Sequence, residues 1–298
     1  MYEKQSGIEK SSESSISSSR RAFIGTAGVA AMAAAMLPGN AAAQQAGAES
    51  TYDRILRTGV LRVPAWAGNL PYFDKNISTG AWFGAGIDMV KDLATAMDGA
   101  SVEVVEMISS APAILALQSG QVDLAFPLTM TPERSRSLDF SVPLILHGFG
   151  LLAPKSLDDD KWADFDRPDC RVAAAIGTSD ESILRRMVPK ATVVGFKSRS
   201  DGFLALAANK VDCLATSALQ GLAAIAKNDA LGKLVLPAPV VATPTSIGLR
   251  MEADTKWLKV VNAWVDYNKS LGQIRDWYLA GLKPLGVEAA DVPPSVVL

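Results

Sequence analysis

Histidine is almost missing from this chain. His147 is the only one in 298 residues, so a metal site built from several imidazoles is excluded. A Ser-His-Asp triad would have to use His147, and no nucleophile elbow accompanies it. Cysteine is nearly as scarce. Cys170 and Cys213 stand without a CxxC or any metal-ligand spacing. An oxidising compartment permits a bond between them; two small buried hydrophobes at strand starts need none. Charge of one sign is lacking too. The formal net charge is -2, whereas a nucleic-acid binder needs a basic face. A membrane-spanning helix needs ~20 strongly apolar residues, and the run Ala22–Leu37 is too short and too rich in alanine for that.

That run has another reading. Ser11–Ser19 is polar and serine-rich, and Ser19-Arg20-Arg21-Ala22-Phe23-Ile24 resembles the twin-arginine export motif. The apolar run, Pro38 and Ala41–Ala43 complete the three regions of a cleaved leader. Residues 1–43 are therefore set apart as a signal peptide, with a mature periplasmic protein starting near Gln44. No cysteine near the cleavage site offers a lipid anchor.

The remainder is organised around Ile114–Pro143. Ile114, Leu115 and Leu117 form an apolar helical stripe that stops at Ser119-Gly120. Val122, Leu124, Phe126 and Leu128 then alternate with other residues, which is strand periodicity. The turn Thr129-Met130-Thr131-Pro132-Glu133-Arg134 follows, with hydroxyls, a proline suited to a first helical position, and a cation. In an open α/β sheet, ligands sit beyond the carboxyl ends of strands. A guanidinium and free N–H groups at that place suit an anion, most naturally a carboxylate.

The stretch has an echo. Ser101–Thr129 aligns without a gap on Lys190–Ala218, with Val102, Val104 and Val105 against Ala191, Val193 and Val194, and with Leu-Ala-Leu and Val-Asp shared. Leu61–Gly68 aligns likewise on Cys170–Gly177. Two homologous α/β lobes are expected: residues 49–147 plus 245–298, and residues 152–241. About 298 residues suffice for two cores. Asp139–Ala153 is expected as the first connection, with glycines able to absorb a hinge rotation. The proline-rich Val235–Thr245 is the return, and Ser246–Arg250 a strand after it.

Between these marks, helices are expected over Glu49–Arg57, Ile87–Met97, Asp254–Leu271 and Gln273–Leu279, the last stopped by Gly281, with a loosely held tail from Pro284. Trp66 and Tyr72, just past the strand Val60–Ala65, are either an aromatic wall of a ligand cleft or ordinary loop packing. Gly177-Thr178-Ser179-Asp180 is either a second polar-group site or a plain helix cap. His147 is taken as a hinge or surface residue.

Leu117–Asp123, Thr129–Ser135 (T-M-T-P-E-R-S) and Asp139–Pro143 (D-F-S-V-P) resemble the signature of extracytoplasmic solute-binding proteins of the polar-amino-acid type, which feed ABC importers. The resemblance runs from about Leu56 to Tyr278 and extends to Ile176–Ser179 and Gly248–Arg250. It implies an α/β, two-lobed, type II periplasmic-binding-protein fold with two interlobe crossings. It implies that Arg134 grips a ligand carboxylate, with help from Leu128, Thr129, Thr178 and Ser179. Aromatics near Trp66 and Tyr72 would pack on the ligand. An acid that holds an α-ammonium is usual where this chain has Ser217. Either Asp180 supplies that charge, or the ligand is not a standard α-amino acid.

The expected function is thus a monomeric periplasmic receptor that delivers a small carboxylate or amino acid to an ABC permease, without cofactor, metal, catalytic residue or nucleic-acid partner. An enzyme on the same scaffold, of the cyclohexadienyl dehydratase type, and a sensory binding module are the alternatives.

Overall fold

The computed structural model describes residues 49–158 and 160–298; the leader expected over residues 1–43 lies outside the described residues. The chain enters through a well-capped helix. The Ser50 hydroxyl accepts from the Asp53 N–H at 3.1 Å, satisfying an open donor of the first turn. Helix α1 (Thr51–Thr58) ends at Gly59, which adopts φ 63°, left-handed backbone that costs glycine little. Strand β1 (Val60–Ala65) follows as expected.

The loop peculiar to the first half folds into a small hairpin of β2 (Asp74–Lys75) and β3 (Trp82–Phe83). Helix α2 (Ala85–Thr95), strand β4 (Ser101–Glu106), helix α3 (Ser110–Gln118) and strand β5 (Ala125–Thr129) come next. The strand starts three residues later than its alternation suggested, since Val122–Leu124 belong to the preceding turn. A 3-10 turn at Arg134–Arg136 leads to β6 (Leu138–Phe140) and the long β7 (Ile145–Ala153). The second half holds α4 (Trp162–Phe165), β8 (Arg171–Ala175), α5 (Ser179–Met187), β9 (Thr192–Phe196), α6 (Arg199–Ala207), β10 (Cys213–Ser217), α7 (Ala218–Lys227) and β11 (Lys233–Val235). The chain returns through β12 (Val241–Arg250) and closes with α8 (Lys256–Ser270) and α9 (Gln273–Leu282).

The fold is mixed α/β and two-lobed. Strands β1 and β4 pair in parallel, as do β8 and β9. The main sheet runs β5-β12-β7-β10-β8-β9. Its middle is the antiparallel pair of β7 and β12, Ile145–Phe149 against Val241–Thr245. The return crossing and the strand expected after it are therefore one element, with Pro244 inside it opposite Leu146. Gly148 and Gly150 in β7 permit close packing. A Cβ at Gly148 would meet the Ser295 hydroxyl at 2.6 Å, and one at Gly150 the Val235 carbonyl at 2.6 Å.

The duplication read from the sequence is structural. Helices α3 and α6 begin and end at residues that the gapless alignment pairs. The shared aspartate has a job in both halves. Asp123 accepts from the Arg62 backbone N–H at 2.6 Å and from its Nη2 at 2.7 Å. Asp212 accepts from the Arg171 N–H and Nη2, both at 2.7 Å. Each clamp ties the start of the last strand to the first. The shared Leu-Ala-Leu needs correction. Leu115 and Leu204 are 67% and 71% exposed; Ala116, Leu117, Ala205 and Leu206 are buried. At ~100° per residue, a leucine two positions before the buried one points to the opposite side.

Two corrections concern the carboxyl end. Helix α9 continues through Gly281, where a Cβ would lie 2.9 Å from the Pro71 carbonyl. That glycine permits close packing and does not end the helix. The tail is held as well: Val297 exchanges backbone hydrogen bonds with Leu146 at 3.0 Å, and Val287 and Val296 are buried.

The two clamps differ in burial. The Asp123 side chain is fully buried and also paired with Arg54, while that of Asp212 is 44% exposed. Asp123→Asn is expected to cost about 3–5 kcal/mol, the range for stranding one side of a buried pair. Asp212→Asn should cost at most about 1 kcal/mol. Urea denaturation of both variants measures this, and equal costs would contradict it.

Candidate ligand cleft

Strands β5, β8 and β10 end at one crevice, which holds about 590 Å³ of atom-free space, partly open to solvent. On the first wall, Thr129 closes β5 and the chain turns back through Thr131. The Arg134 N–H donates to the Thr131 hydroxyl at 3.2 Å, and Arg134 Nη1 to the Thr129 carbonyl at 3.1 Å. The turn so fixes a half-buried guanidinium pointing into the crevice. Burial lowers its pKa from the usual value, and Asp180, then Glu133, partly oppose this. No carboxylate lies within ion-pair distance of Arg134 among the described residues.

The second wall is built by helix starts. Thr178 caps α5: its hydroxyl accepts from the Glu181 N–H at 3.3 Å and donates to the Ala175 carbonyl at 2.7 Å. The same residue lines the crevice, so the cap and the wall are one turn. Ser179 donates to the Thr129 hydroxyl at 3.0 Å across the crevice. Asp180 forms an ion pair with Arg199, the first residue of α6. Arg199 Nη1 reaches the Asn69 side-chain oxygen at 3.4 Å. Gln220 Nε2 donates to that oxygen at 2.5 Å, and its Oε1 accepts from Ser217 at 2.8 Å. Below this relay, Lys227 joins Asp74 at 2.9 Å. These contacts hold the walls together in a closed arrangement.

Of the residues singled out in the sequence, Arg134, Thr129, Leu128, Trp66, Thr178, Ser179, Asp180 and Ser217 line this crevice. Tyr72 does not. It is fully buried one layer behind, with its hydroxyl 3.2 Å from His147 Nε2 and its ring edge-on to Tyr278. Burial raises its phenol pKa well above the usual value. His147 is not on the surface: it is buried at the floor of the crevice. Desolvation, then the Arg199 charge, lowers its pKa from 6.5 to about 3. Trp66 packs on Phe73 with ring centres 5.9 Å apart.

Asn69, Arg199 and Gln220 were missed in the sequence. The duplication held a signal for one of them. The alignment pairs Arg199 with Ser110, and both open a helix at the crevice. Cys170 and Cys213 are free and buried, close enough that a thiol hydrogen bond lowers the pKa of Cys170 and raises that of Cys213. No group of three or more metal-ligating side chains occurs among the described residues.

The neutral state of His147 has a consequence for stability. The unfolded chain takes up a proton here below about 6.5, the folded chain only near 3. Between those values the unfolded state binds more protons, so stability rises with pH. Moving from pH 7 to pH 5 should cost about 2 kcal/mol through this group. His147→Gln should shrink the pH 7-to-5 stability difference by that amount in denaturant titrations. An unchanged difference would place the proton uptake elsewhere.

Comparison with known proteins gives a coherent set. The family model for bacterial extracellular solute-binding proteins, family 3, matches residues 65–279. A glutamine-binding protein of Geobacillus stearothermophilus is 29% identical over 170 residues, 56% of this chain and 64% of that protein. A cyclohexadienyl dehydratase of Pseudomonas aeruginosa is 28% identical over 176 residues, 58% of this chain and 64% of the enzyme. The chain thus spans just under two thirds of both curated relatives. Among solved structures, the ancestral amino acid-binding protein AncCDT-1, a precursor of cyclohexadienyl dehydratase, superposes with a TM-score of 0.69. It is 31% identical, over 77% of this chain and 98% of that one.

Proposed function

The chain belongs to the bacterial extracellular solute-binding proteins, family 3, and on that footing we propose that it is a periplasmic receptor for a small carboxylate-bearing solute. The observation that carries this is Arg134, a cation in the crevice with no carboxylate as ion-pair partner among the described residues. A fork of N–H donors suits a carboxylate, which it can hold bidentately. In this reading residues 1–43 direct export by the twin-arginine route and are removed. Residues 49–147 plus 245–298 form the lobe with Arg134, and residues 152–241 the lobe with Ser179 and Asp180. The ligand meets Arg134 first, the second lobe closes over it and water leaves. The monomeric closed form then presents both lobes to an ABC permease.

The relationship to a dehydratase raises an enzymatic reading. Dehydration needs a group that gives a proton to the departing hydroxyl. His147 is unprotonated down to about pH 3, and Asp180 is held by Arg199. The crevice groups therefore favour capture over catalysis.

Thermal shift and calorimetry with a panel of small carboxylates test the receptor reading. A ligand at a hundred times its Kd should add about 2.7 kcal/mol of stability. Arg134→Met should weaken binding by about 2–5 kcal/mol, as expected for a desolvated charge pair that loses one member. Full binding by that variant would remove the basis of the proposal. Turnover of a bound cyclohexadienyl acid on incubation would favour the enzyme instead.

A further inference from the structure

The polar groups of the crevice define more than a carboxylate site. Two guanidiniums, Arg134 and Arg199, and one carboxylate, Asp180, face it. Arg199 and Asp180 neutralise each other. Asp74 and Lys227 pair below, and Glu133, next to Arg134, is exposed to solvent. The lining therefore keeps one positive charge over, that of Arg134.

Hydrogen-bond capacity is equally one-sided. Asn69 Nδ2, Arg199 Nε and the Thr245 hydroxyl are buried without a partner. Asn69 and Thr245 are each only 2% exposed, and all three residues line the crevice. The amide orientation is imposed by the network. Arg199 can only donate, so the Asn69 oxygen must face it. Gln220 then turns its NH₂ to that oxygen and its own oxygen to Ser217. Ser217 spends its one proton on Gln220, and only its lone pairs remain for a ligand. The Asn69 oxygen thereby accepts twice and the Gln220 oxygen once within the wall. The crevice offers two unpaired N–H donors, one surplus cation and, in its side chains other than Asp180, only neutral acceptors, the Ser217 and Thr245 hydroxyls among them.

We propose that the ligand is a small monoanionic carboxylate whose second polar group is a neutral hydroxyl that donates to Ser217, and not a zwitterionic α-amino acid. This rests on the receptor reading above and narrows it. A hydroxy acid brings one negative charge, which cancels that of Arg134 when the lobes close. An α-amino acid brings no net charge and would leave the closed crevice positive. Its ammonium would also add donors where donors are already in excess, and Ser217 has no negative charge to offset it.

The test uses matched probes that differ only at the second carbon: lactate against alanine, 2-hydroxyisovalerate against valine, and phenyllactate against phenylalanine. Kd values come from calorimetry on the exported protein, with Arg134→Met and Ser217→Asp measured alongside. The hydroxy acid of a pair should bind at least tenfold tighter than its amino acid. Ser217→Asp, which supplies the missing negative charge, should move that ratio at least tenfold toward the amino acid. Equal or tighter binding of the amino acids, lost in Arg134→Met, overturns this inference and leaves the receptor reading standing. A ratio unmoved by Ser217→Asp overturns the role of Ser217 and the inference with it. Binding of either class undiminished in Arg134→Met overturns both.

Discussion

The clamp between Asp123 and Arg62 carries more of this architecture than its size suggests. Strands β1 and β4 form their own two-stranded sheet, separate from the main sheet that begins at β5. The seam between them is closed by the Asp123 N–H on the Arg62 carbonyl at 2.9 Å, and by the Asp123 carboxylate on the Arg62 N–H and guanidinium. One residue thus replaces a ladder. It fixes how far the end of β1, with Trp66 beyond it, stands from the end of β5, with Thr129 and the Arg134 turn. The second half has the same pair in Asp212 and Arg171, but there β8 and β10 also pair directly. The clamp is a duplicated device that is indispensable in one half and redundant in the other. Burial follows that division, since Asp123 is wholly enclosed and Asp212 is not.

The crevice distributes its charges by the same economy. A carboxylate beside Arg134 would satisfy the guanidinium and close the site to anions. Asp180 is near enough to influence Arg134, yet its ion pair is with Arg199. Arg199 in turn orients Asn69, and through it Gln220 and Ser217. The ion pair therefore sets the hydrogen-bond sense of the second wall and leaves Arg134 uncommitted. His147 fits this scheme as a neutral floor. Its proton affinity is suppressed mainly by burial and further by the Arg199 charge, so it adds nothing to the positive surplus.

Much of this was legible in the sequence because period and repetition are carried by neighbouring residues. Strand β1, the helices near both ends of the described chain and the gapless duplication follow from local spacing, whereas α4 and α7 were not read. The T-P-E-R turn announced Arg134 because chemistry and position coincide there. What escaped depends on contacts distant in sequence. Leu115 looked like core until the short helix showed which side faces the sheet. Gly281 looked like a stop until Pro71 came against it from the other end of the chain. Tyr72 was read as a ligand contact, yet Tyr278, more than two hundred residues on, holds its ring behind the wall. Arg199 and Gln220 read as ordinary helix residues, and only their distance to Asn69 gives them a role.

The closed arrangement has a mechanical implication. Four contacts tie the crevice walls: Ser179 to Thr129, Arg199 and Gln220 to Asn69, and Lys227 to Asp74. Lys227 is half exposed, and such a pair contributes at most ~1 kcal/mol. The neutral hydrogen bonds contribute about 1 kcal/mol each. In the proposed receptor, opening would be carried by β7 and β12, the strands that pair at the middle of the main sheet. Gly148 and Gly150 leave no room for a larger side chain at this pair of strands. The rotation would be spread along the twist of the paired strands, whose hydrogen bonds can persist while the walls part. In the proposed receptor, a ligand that neutralised Arg134 would favour the closed crevice, and this would couple capture to closure without a dedicated switch.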